Sequence, residues 1–224
     1  MNYYTESQPW GKTSYEVEPY SYAMFETSVQ RVEFITNPSF GRMLFLDGVL
    51  QSASLDEIIY HKALVPANLF DAKPARVLIA GGAEGGVARE VLKHACVERC
   101  VMVDWDEKLV AHCRDVEMLN RSAFTDPRLK YVCQDIMQFC NESNEQFDLV
   151  FLDLLDMDTD ADIDFMKTIV SLLFEKGTWA IVLNVGRKKY LAENLTYFRN
   201  GTMKEITVPS FQEPWYIVTL TRAH

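Results

Sequence analysis

From residue 76 onward, the sequence alternates between short apolar segments and amphipathic segments with helical spacing. The apolar segments predict strands that are buried on both faces, as in a parallel sheet, and the amphipathic segments predict crossover helices. Predicted strands cover 76–80, 99–103, 129–133, 148–152, 179–184, 204–208 and 215–221, and predicted helices cover 87–94, 107–120, 137–141, 163–174 and 190–199. Because such crossovers are right-handed, the pattern predicts a doubly wound, Rossmann-like α/β sheet.

The first part of the chain has a different pattern. Apolar segments at 42–46 and 49–52 flank Asp47-Gly48, a dipeptide typical of tight β-hairpins. Residues 1–55 are therefore predicted to form a small antiparallel β domain. Residues 56–224 are predicted to form the Rossmann-like domain, which opens with helical spacing over 58–69.

The charge balance restricts the possible ligands. The chain has 22 Lys and Arg against 32 Asp and Glu, a formal net charge of −10. A polyanion would be repelled over most of this surface, so nucleic acid is not expected as a partner. A small cationic molecule is favoured instead.

The sequence also argues against membrane association. No apolar run approaches the roughly 20 residues that a membrane-spanning helix needs, and the first residues lack a basic segment followed by an apolar one. We therefore expect a cytoplasmic protein without membrane contact.

A glycine-rich turn, Gly81-Gly82-Ala83-Glu84-Gly85-Gly86, follows the first strand of the predicted sheet. Glycines permit positive φ angles and let a ligand approach the backbone closely, while the next helix presents unbonded N–H groups. Taken alone, the motif also fits a plain tight turn.

Two acidic residues follow the next two strands. Asp104 lies where a carboxylate accepts hydrogen bonds from both hydroxyls of a ribose, and Asp135 lies where one accepts from an adenine amino group. Asp104 by itself fits a solvated surface acid equally well. With the strand end that leads into the glycine turn, they make three polar strand ends at one edge of one sheet, and this arrangement favours a nucleoside site.

The strand over 148–152 is followed by Asp153 and, three residues later, Asp156. Asp153 lies at the strand tip among apolar neighbours, which suits a general base or a clamp for a cation. The aspartates at 158, 160, 162 and 164 predict a solvated loop and the start of a helix. They lack the central Gly and closing Glu of a calcium loop, so no metal site is predicted.

Together these motifs resemble the polyamine aminopropyltransferases, the spermidine synthase family. The resemblance covers nearly the whole chain, and its segments lie at 30–32, 40–49, 56–61, 81–94, 103–106, 126–128 and 148–156. It implies a small N-terminal β domain on a methyltransferase-like sheet. It further implies transfer of an aminopropyl group from decarboxylated S-adenosylmethionine to a diamine such as putrescine, with release of methylthioadenosine.

The resemblance also implies roles for individual residues. The nucleoside donor would be held by Gln30, Gly81, Gly82, Glu84, Asp104, Asp135 and the backbone of Ile136. The amine acceptor would be bound by Tyr60, His61, Glu84, Asp153 and Asp156, and Asp153 would accept the proton. No metal or further cofactor is implied, and a homodimer or higher homo-oligomer is expected.

Several positions depart from the family pattern, mostly on the acceptor side. Glu84 replaces Asp, Asp104 replaces the more frequent Glu, Ile136 replaces Gly, Leu154 and Leu155 replace small hydroxyl residues, and 157–161 and 209–214 have altered loop sequences. Two alternatives therefore stay open. One is a methyltransferase or other alkyltransferase that uses S-adenosylmethionine itself, and the other is a catalytically silent nucleoside-binding relative.

Overall fold

The computed structural model describes residues 2–8, 11–117, 119–154, 159–199 and 201–222. The chain forms two compact units. One comprises Met1–Tyr60 with Val208–Glu213, and the other comprises His61–Thr207 with Pro214–His224. Sequence analysis placed 208–213 in the larger domain, whereas the structure places this segment in the first unit.

The first unit is built from antiparallel strands. Its strands are β1 (Asn2–Gln8), β2 (Gly11–Val17), β3 (Ala23–Glu26), β4 (Arg31–Asn37), β5 (Gly41–Leu46) and β6 (Val49–Ala53). Strands β1 and β2 form a hairpin, and β3 to β6 form a four-stranded sheet in sequence order. The predicted turn between β5 and β6 is present, with φ angles of 49° at Asp47 and 83° at Gly48.

A buried carboxylate joins the hairpin to this sheet. Glu6 in β1 accepts hydrogen bonds from the Tyr15 hydroxyl at 3.0 Å and from the backbone N–H of Leu50 at 3.1 Å. Tyr15 and Leu50 also belong to the apolar core of the unit, with Ile35, Met43, Phe45 and Ala53. Because the carboxylate is satisfied by neighbours in both sheets, it fixes their packing.

Asp56 explains why 208–213 belongs to the first unit. Its carboxylate accepts from the Ser210 backbone N–H at 2.7 Å and from the Ser210 hydroxyl at 2.9 Å, and both residues are buried. The short 3₁₀ turn Pro209–Phe211 is thus held by two hydrogen bonds to a residue 154 positions earlier in the chain. No local pattern in the sequence indicates this contact.

The second unit contains a seven-stranded mixed sheet with helices. Its strands are β7 (Arg76–Gly81), β8 (Arg99–Asp104), β9 (Leu129–Cys133), β10 (Leu149–Asp153), β11 (Ala180–Gly186), β12 (Thr202–Thr207) and β13 (Pro214–Thr221). The helices of the chain are α1 (Glu57–Leu64), α2 (Gly86–Leu92), α3 (Glu107–Asp115), α4 (Arg121–Phe124), α5 (Ile136–Glu142), α6 (Asp160–Glu175) and α7 (Lys189–Arg199). The strand order is β12-β13-β11-β10-β7-β8-β9, and the five strands from β11 to β9 are parallel.

The predicted α/β fold class and the antiparallel N-terminal region are confirmed. Three helices end earlier than predicted, and the one expected over 87–94 does so by two residues, at Leu92. The helix expected over 58–69 ends at Leu64, because Pro66 lacks an N–H and adopts an extended conformation before a 3₁₀ segment over Ala67–Ala72. The helix expected over 107–120 ends at Asp115, and Asn120 has a left-handed φ of 49° before α4.

The aspartates after β10 begin a helix, as predicted, where the structure describes them. Thr159 caps α6, and its side chain and that of Asp162 exchange hydrogen bonds with each other's backbone N–H groups. Asp158 lies outside the described residues. Among the described helices, none combines the length and apolar character needed to cross a bilayer.

Candidate active site

Four parallel strands of the second unit end at one edge of the sheet. Strands β10, β7, β8 and β9 are neighbours in that order, so the chain crosses from one side of β7 to the other between β9 and β10. Asp153 pairs in register with Gly81, and Asp104 pairs with Cys133, two residues before Asp135. The predicted acids and the glycine turn therefore meet at the switch point, where open α/β sheets bind their ligands.

The glycines of the turn leave room mainly for other parts of the protein. Gly81 and Gly85 have φ angles of 79° and 80°. A Cβ at Gly81 would collide with the backbone carbonyl of Asp153, and one at Gly85 would lie 2.7 Å from Cε2 of Phe124. Both positions thus need glycine for backbone conformation and for packing, and not only for a ligand as the sequence suggested.

Gly82 differs from these two positions. Its φ is 77°, and the nearest atoms to a Cβ there would be Ile79 Cγ2 at 3.3 Å and Asp153 Oδ2 at 3.6 Å. The bare Cα of Gly82 therefore lies beside the Asp153 carboxylate. At Gly82, the backbone of the turn thus lies next to the carboxylate of Asp153, the predicted catalytic group.

Glu84 is held at both its side chain and its backbone. His61 Nε2 lies 3.1 Å from Glu84 Oε1, and the two side chains are 1% and 13% exposed. The side-chain amide of Asn120 donates to the Glu84 carbonyl at 2.9 Å. The imidazole of His61 fills the space at Gly86, where a Cβ would collide with the ring.

Asp104 is a partly enclosed carboxylate with a raised pKa. Burial raises its pKa to about 6, with the charges of Asp106 and Asp153 adding to the rise. The Asp106 backbone N–H donates to Asp104 Oδ1 at 2.9 Å, and this hydrogen bond acts in the opposite direction by lowering the pKa. Asp104 thus interacts electrostatically with Asp153 on the far side of β7.

Asp135 and Ile136 mark the start of α5. The Asp135 carboxylate accepts from the backbone N–H of Gln138 at 2.9 Å and so caps this helix. The Ile136 side chain is buried in the apolar core of the sheet. Any contribution of Ile136 to ligand binding therefore comes from its backbone.

The backbone after Asp153 is fixed by an amide at the end of the neighbouring strand. The Asn184 side chain in β11 donates to the Leu154 carbonyl at 3.2 Å. Its Oδ1 accepts from Trp215 Nε1 at 2.8 Å and from the Gly186 backbone N–H at 3.1 Å. Asn184 and Trp215 are buried, and their hydrogen bonds fix the orientation of the amide.

The acidic groups produce a negative field inside this unit. Cys113 in α3 is fully buried, and its pKa is raised well above the usual value by burial first and then by the charges of Glu84, Glu117, Asp104 and Asp106. Such a field attracts cationic reactants. Across the described ranges, no group of three or more His, Cys, Asp or Glu side chains is arranged to hold a metal ion.

The remaining predicted residues lie elsewhere in the chain. Gln30 and Tyr60 belong to the first unit. The Gln30 backbone N–H donates to the Thr27 hydroxyl at 3.0 Å, and the Tyr60 ring packs edge-on against Phe211 with centroids 6.0 Å apart. Asp156 lies outside the described residues.

Sequence reasoning missed Asn120 and Asn184. Asn184 is the last residue of the predicted apolar strand over 179–184, and a polar amide at such a strand end is a signal that could have been used. Asn120 reaches Glu84 from 36 residues away in a left-handed turn, and no sequence pattern indicates that contact.

The sequence matches two profiles of known protein families. Residues 57–223 match the spermine/spermidine synthase domain, and residues 3–54 match the spermidine synthase tetramerisation domain. The chain belongs to the spermine/spermidine synthase family. The resemblance identified from the sequence motifs is thereby confirmed.

Curated relatives agree with this family. A polyamine aminopropyltransferase of Sulfurisphaera tokodaii is 32% identical over 206 residues, which are 86% of this chain and 68% of that protein. Polyamine aminopropyltransferase 1 of Hyperthermus butylicus is 37% identical over 192 residues, or 84% and 63% of the two chains. Thermospermine synthase ACAULIS5 of Arabidopsis thaliana is 41% identical over 128 residues, or 57% and 38%. The chain spans about half the length of several of the curated relatives that it matches.

Solved structures of spermidine synthases have the same fold. The enzyme of Thermotoga maritima superposes with a TM-score of 0.86 at 20% identity, covering 100% of this chain and 80% of that one. A spermidine synthase in complex with the transition-state analogue AdoDATO gives the same TM-score and identity, covering 99% and 80%.

Proposed function

We propose that this chain transfers the aminopropyl group of decarboxylated S-adenosylmethionine to a diamine such as putrescine. The products are a longer polyamine and methylthioadenosine. The observation that carries the proposal is the position of Asp153 at the tip of β10, beside the bare Cα of Gly82 and electrostatically coupled to Asp104. Membership of the spermine/spermidine synthase family supports the same reaction.

The chemistry requires a base within a negatively charged site. A protonated primary amine has no lone pair, so it must lose a proton before it attacks carbon. Asp153 takes that proton, the nitrogen lone pair forms a bond to the methylene next to the sulfonium, and the carbon–sulfur bond breaks. Its electron pair stays on sulfur, which becomes the neutral thioether of methylthioadenosine.

The donor would lie along the carboxyl ends of β7, β8 and β9. Asp104 would accept hydrogen bonds from the ribose hydroxyls, and Asp135 with the backbone of Ile136 would contact the adenine. The turn at Gly81 and Gly82 would carry the aminopropyl end.

Glu84 would face an amino group and so select between donors. A carboxylate at this position attracts an ammonium and repels a donor that still carries its own carboxylate. His61 and Asp156 would contribute to the acceptor side together with Asp153.

The reaction as proposed uses no metal or further cofactor, because the sulfonium already makes the departing sulfur a good leaving group. We further propose that the chain forms a homo-oligomer, since residues 3–54 match a domain described by its role in tetramerisation. Whether it is a dimer or a tetramer is decided by light scattering after size-exclusion chromatography. The cytoplasmic location stays a prediction of the sequence.

Calorimetry with two donors tests the proposed function. We expect decarboxylated S-adenosylmethionine to bind at least about tenfold more tightly than S-adenosylmethionine, as one favourable charge interaction of about 1.4 kcal/mol predicts. Incubation with putrescine and the decarboxylated donor should give methylthioadenosine and a product heavier by one aminopropyl group. Tighter binding of the carboxylated donor would instead favour a methyltransferase, and donor binding without product would indicate a silent relative.

A further inference from the structure

Leu154 is the first residue after β10 and directly follows the proposed base Asp153. Its side chain is half-buried and packs against the apolar core of the sheet. Its carbonyl accepts the hydrogen bond from the Asn184 amide at 3.2 Å. The leucine is thus fixed through both its backbone and its side chain at the carboxyl edge of the sheet, where the donor would lie.

One end of this side chain lies beside the glycine turn. A Cβ at Gly81 would lie 3.5 Å from Leu154 Cδ2, which is an ordinary van der Waals distance. A Cβ at Gly82 would lie 3.6 Å from Asp153 Oδ2. Two consecutive residues therefore place a carboxylate and an apolar group beside the bare backbone of the turn.

These two groups match the two parts of an aminopropyl chain. Its methylenes are apolar and leave water favourably, whereas its nitrogen is a cation that a carboxylate attracts. The small hydroxyl residue of the family pattern would offer little apolar surface at position 154 and would add a hydrogen-bond donor. Leucine reverses both properties.

The same apolar group is unfavourable for S-adenosylmethionine. That molecule carries a carboxylate on the carbon that bears its amino group, and a leucine side chain has no donor to replace the water that the carboxylate would lose. Discrimination of this kind acts through desolvation, so it adds to any charge repulsion between the carboxylate and a neighbouring acid.

We propose that Leu154 is a specificity-determining residue for the donor: its side chain packs against the methylenes of the aminopropyl group and disfavours a donor that carries a carboxylate at that end. This inference rests on the proposed function, because it takes decarboxylated S-adenosylmethionine as the donor and places its aminopropyl end at Gly81 and Gly82.

Three ligands isolate this contribution. Methylthioadenosine lacks the aminopropyl chain, decarboxylated S-adenosylmethionine carries it, and S-adenosylmethionine carries it with the carboxylate. Their dissociation constants are measured by calorimetry on the full chain, unmodified and with Leu154→Ser or Leu154→Met. Methionine keeps an apolar side chain of similar volume, whereas serine restores a small hydroxyl. Leu172→Ser in α6 is the matched control, because Leu172 is also a half-buried leucine that packs against the same core.

We expect Leu154→Ser to lower the preference for the decarboxylated donor about fivefold, because that donor loses apolar contact while S-adenosylmethionine binds as tightly as before or more tightly. Methylthioadenosine should bind all variants within about twofold of the unmodified protein. The preference should stay within about twofold in Leu154→Met and in Leu172→Ser. The heat-capacity change on binding the decarboxylated donor should become less negative in Leu154→Ser, since less apolar surface is buried.

Three results would overturn the inference: an unchanged donor preference in Leu154→Ser, equal weakening of all three ligands, or the same loss of preference in Leu172→Ser. If Leu154→Ser does not fold, as judged by its thermal unfolding, Leu154→Thr takes its place in the same comparison. An unmodified protein that binds neither donor, or that prefers the carboxylated donor, would instead contradict the proposed function.

Discussion

Trp215 Nε1 donates a hydrogen bond of 2.8 Å to Oδ1 of Asn184, and the same amide donates through Nδ2 to the carbonyl of Leu154. The indole therefore fixes which way the amide points, and the amide holds the carbonyl of Leu154, the residue after Asp153. Two residues that sequence analysis assigned no role thus position the backbone that carries the proposed base.

Replacing Asn184 with Ala should destabilise the protein and slow the reaction. Buried partners at Trp215, Leu154 and Gly186 would lose their hydrogen bonds, which predicts a loss of about 2–3 kcal/mol in the free energy of unfolding. The turnover number should fall more than the affinity for methylthioadenosine changes. Denaturant unfolding and steady-state kinetics measure the two effects, and Trp215→Phe, which removes only the indole donor, serves as the comparison. A fully active Asn184→Ala variant would show that the amide does not position Asp153.

Replacing Asp153 with Asn should remove the proposed base without altering the nucleoside site. We expect turnover to fall by about 10²-fold or more, as for other general bases, while the dissociation constant of methylthioadenosine stays within about twofold. Asp164→Asn in the exposed part of α6 is the matched control and should keep full activity. Turnover of Asp153→Asn at the rate of the unmodified protein would contradict the mechanism.

Replacing Gly81 with Ala should be far more damaging than the same change at Gly177. Both glycines have positive φ, 79° and 103°, so both variants carry a backbone strain of about 1 kcal/mol or more. A Cβ at Gly177 meets nothing within 4 Å, whereas one at Gly81 collides with the Asp153 carbonyl. Gly81→Ala should therefore lose at least about 2 kcal/mol more stability and should weaken turnover by displacing Asp153. Similar denaturation midpoints for the two variants would show that the backbones of β7 and β10 can move apart at Gly81 at little cost in stability.

The raised pKa of Asp104 predicts a pH dependence of nucleoside binding. A protonated carboxyl cannot accept hydrogen bonds from two ribose hydroxyls as well as a carboxylate can. The affinity for methylthioadenosine should be constant above pH 7 and fall as the pH drops below about 6, the pKa of Asp104. In Asp104→Asn the affinity should be lower at neutral pH and should lose this pH dependence. Calorimetry between pH 5 and pH 8 measures the affinity of both proteins. The same pH dependence in the variant as in the unmodified protein would assign the titration to another group.

The same group predicts the opposite trend for stability without ligand. Because the folded pKa of about 6 lies above the ordinary value of 3.8, the folded state binds the proton more tightly than the unfolded state between these two pH values. Stability contributed by Asp104 is thus present below pH 4 and lost as the pH rises through 6. Relative to Asp104→Asn, the unmodified protein should lose on the order of 2–3 kcal/mol between pH 4 and pH 8. Parallel pH profiles of the two proteins in denaturant unfolding would contradict this.

Element types were predictable from the sequence, and element ends were predictable only where a local signal exists. The apolar segments of β7, β8 and β10 carry their own evidence of burial. The helix predicted over 163–174 begins three residues earlier, at Asp160, where Thr159 and Asp162 form a capping box. The end of α3 has no such signal. The chain leaves the helix after Asp115, and Asn120, whose amide donates to the Glu84 carbonyl, has a left-handed backbone just before α4.

The sequence by itself determined the alternation of strands and helices, the acids at the strand ends and the family, because hydrophobic period and motif spacing are local or ordered along the chain. The tertiary structure decided which atoms meet: His61 with Glu84, Asn184 with Leu154, and Gly81 with the carbonyl of Asp153. These contacts join residues 23 to 72 positions apart, and their geometry depends on sheet order and register, which no local pattern encodes.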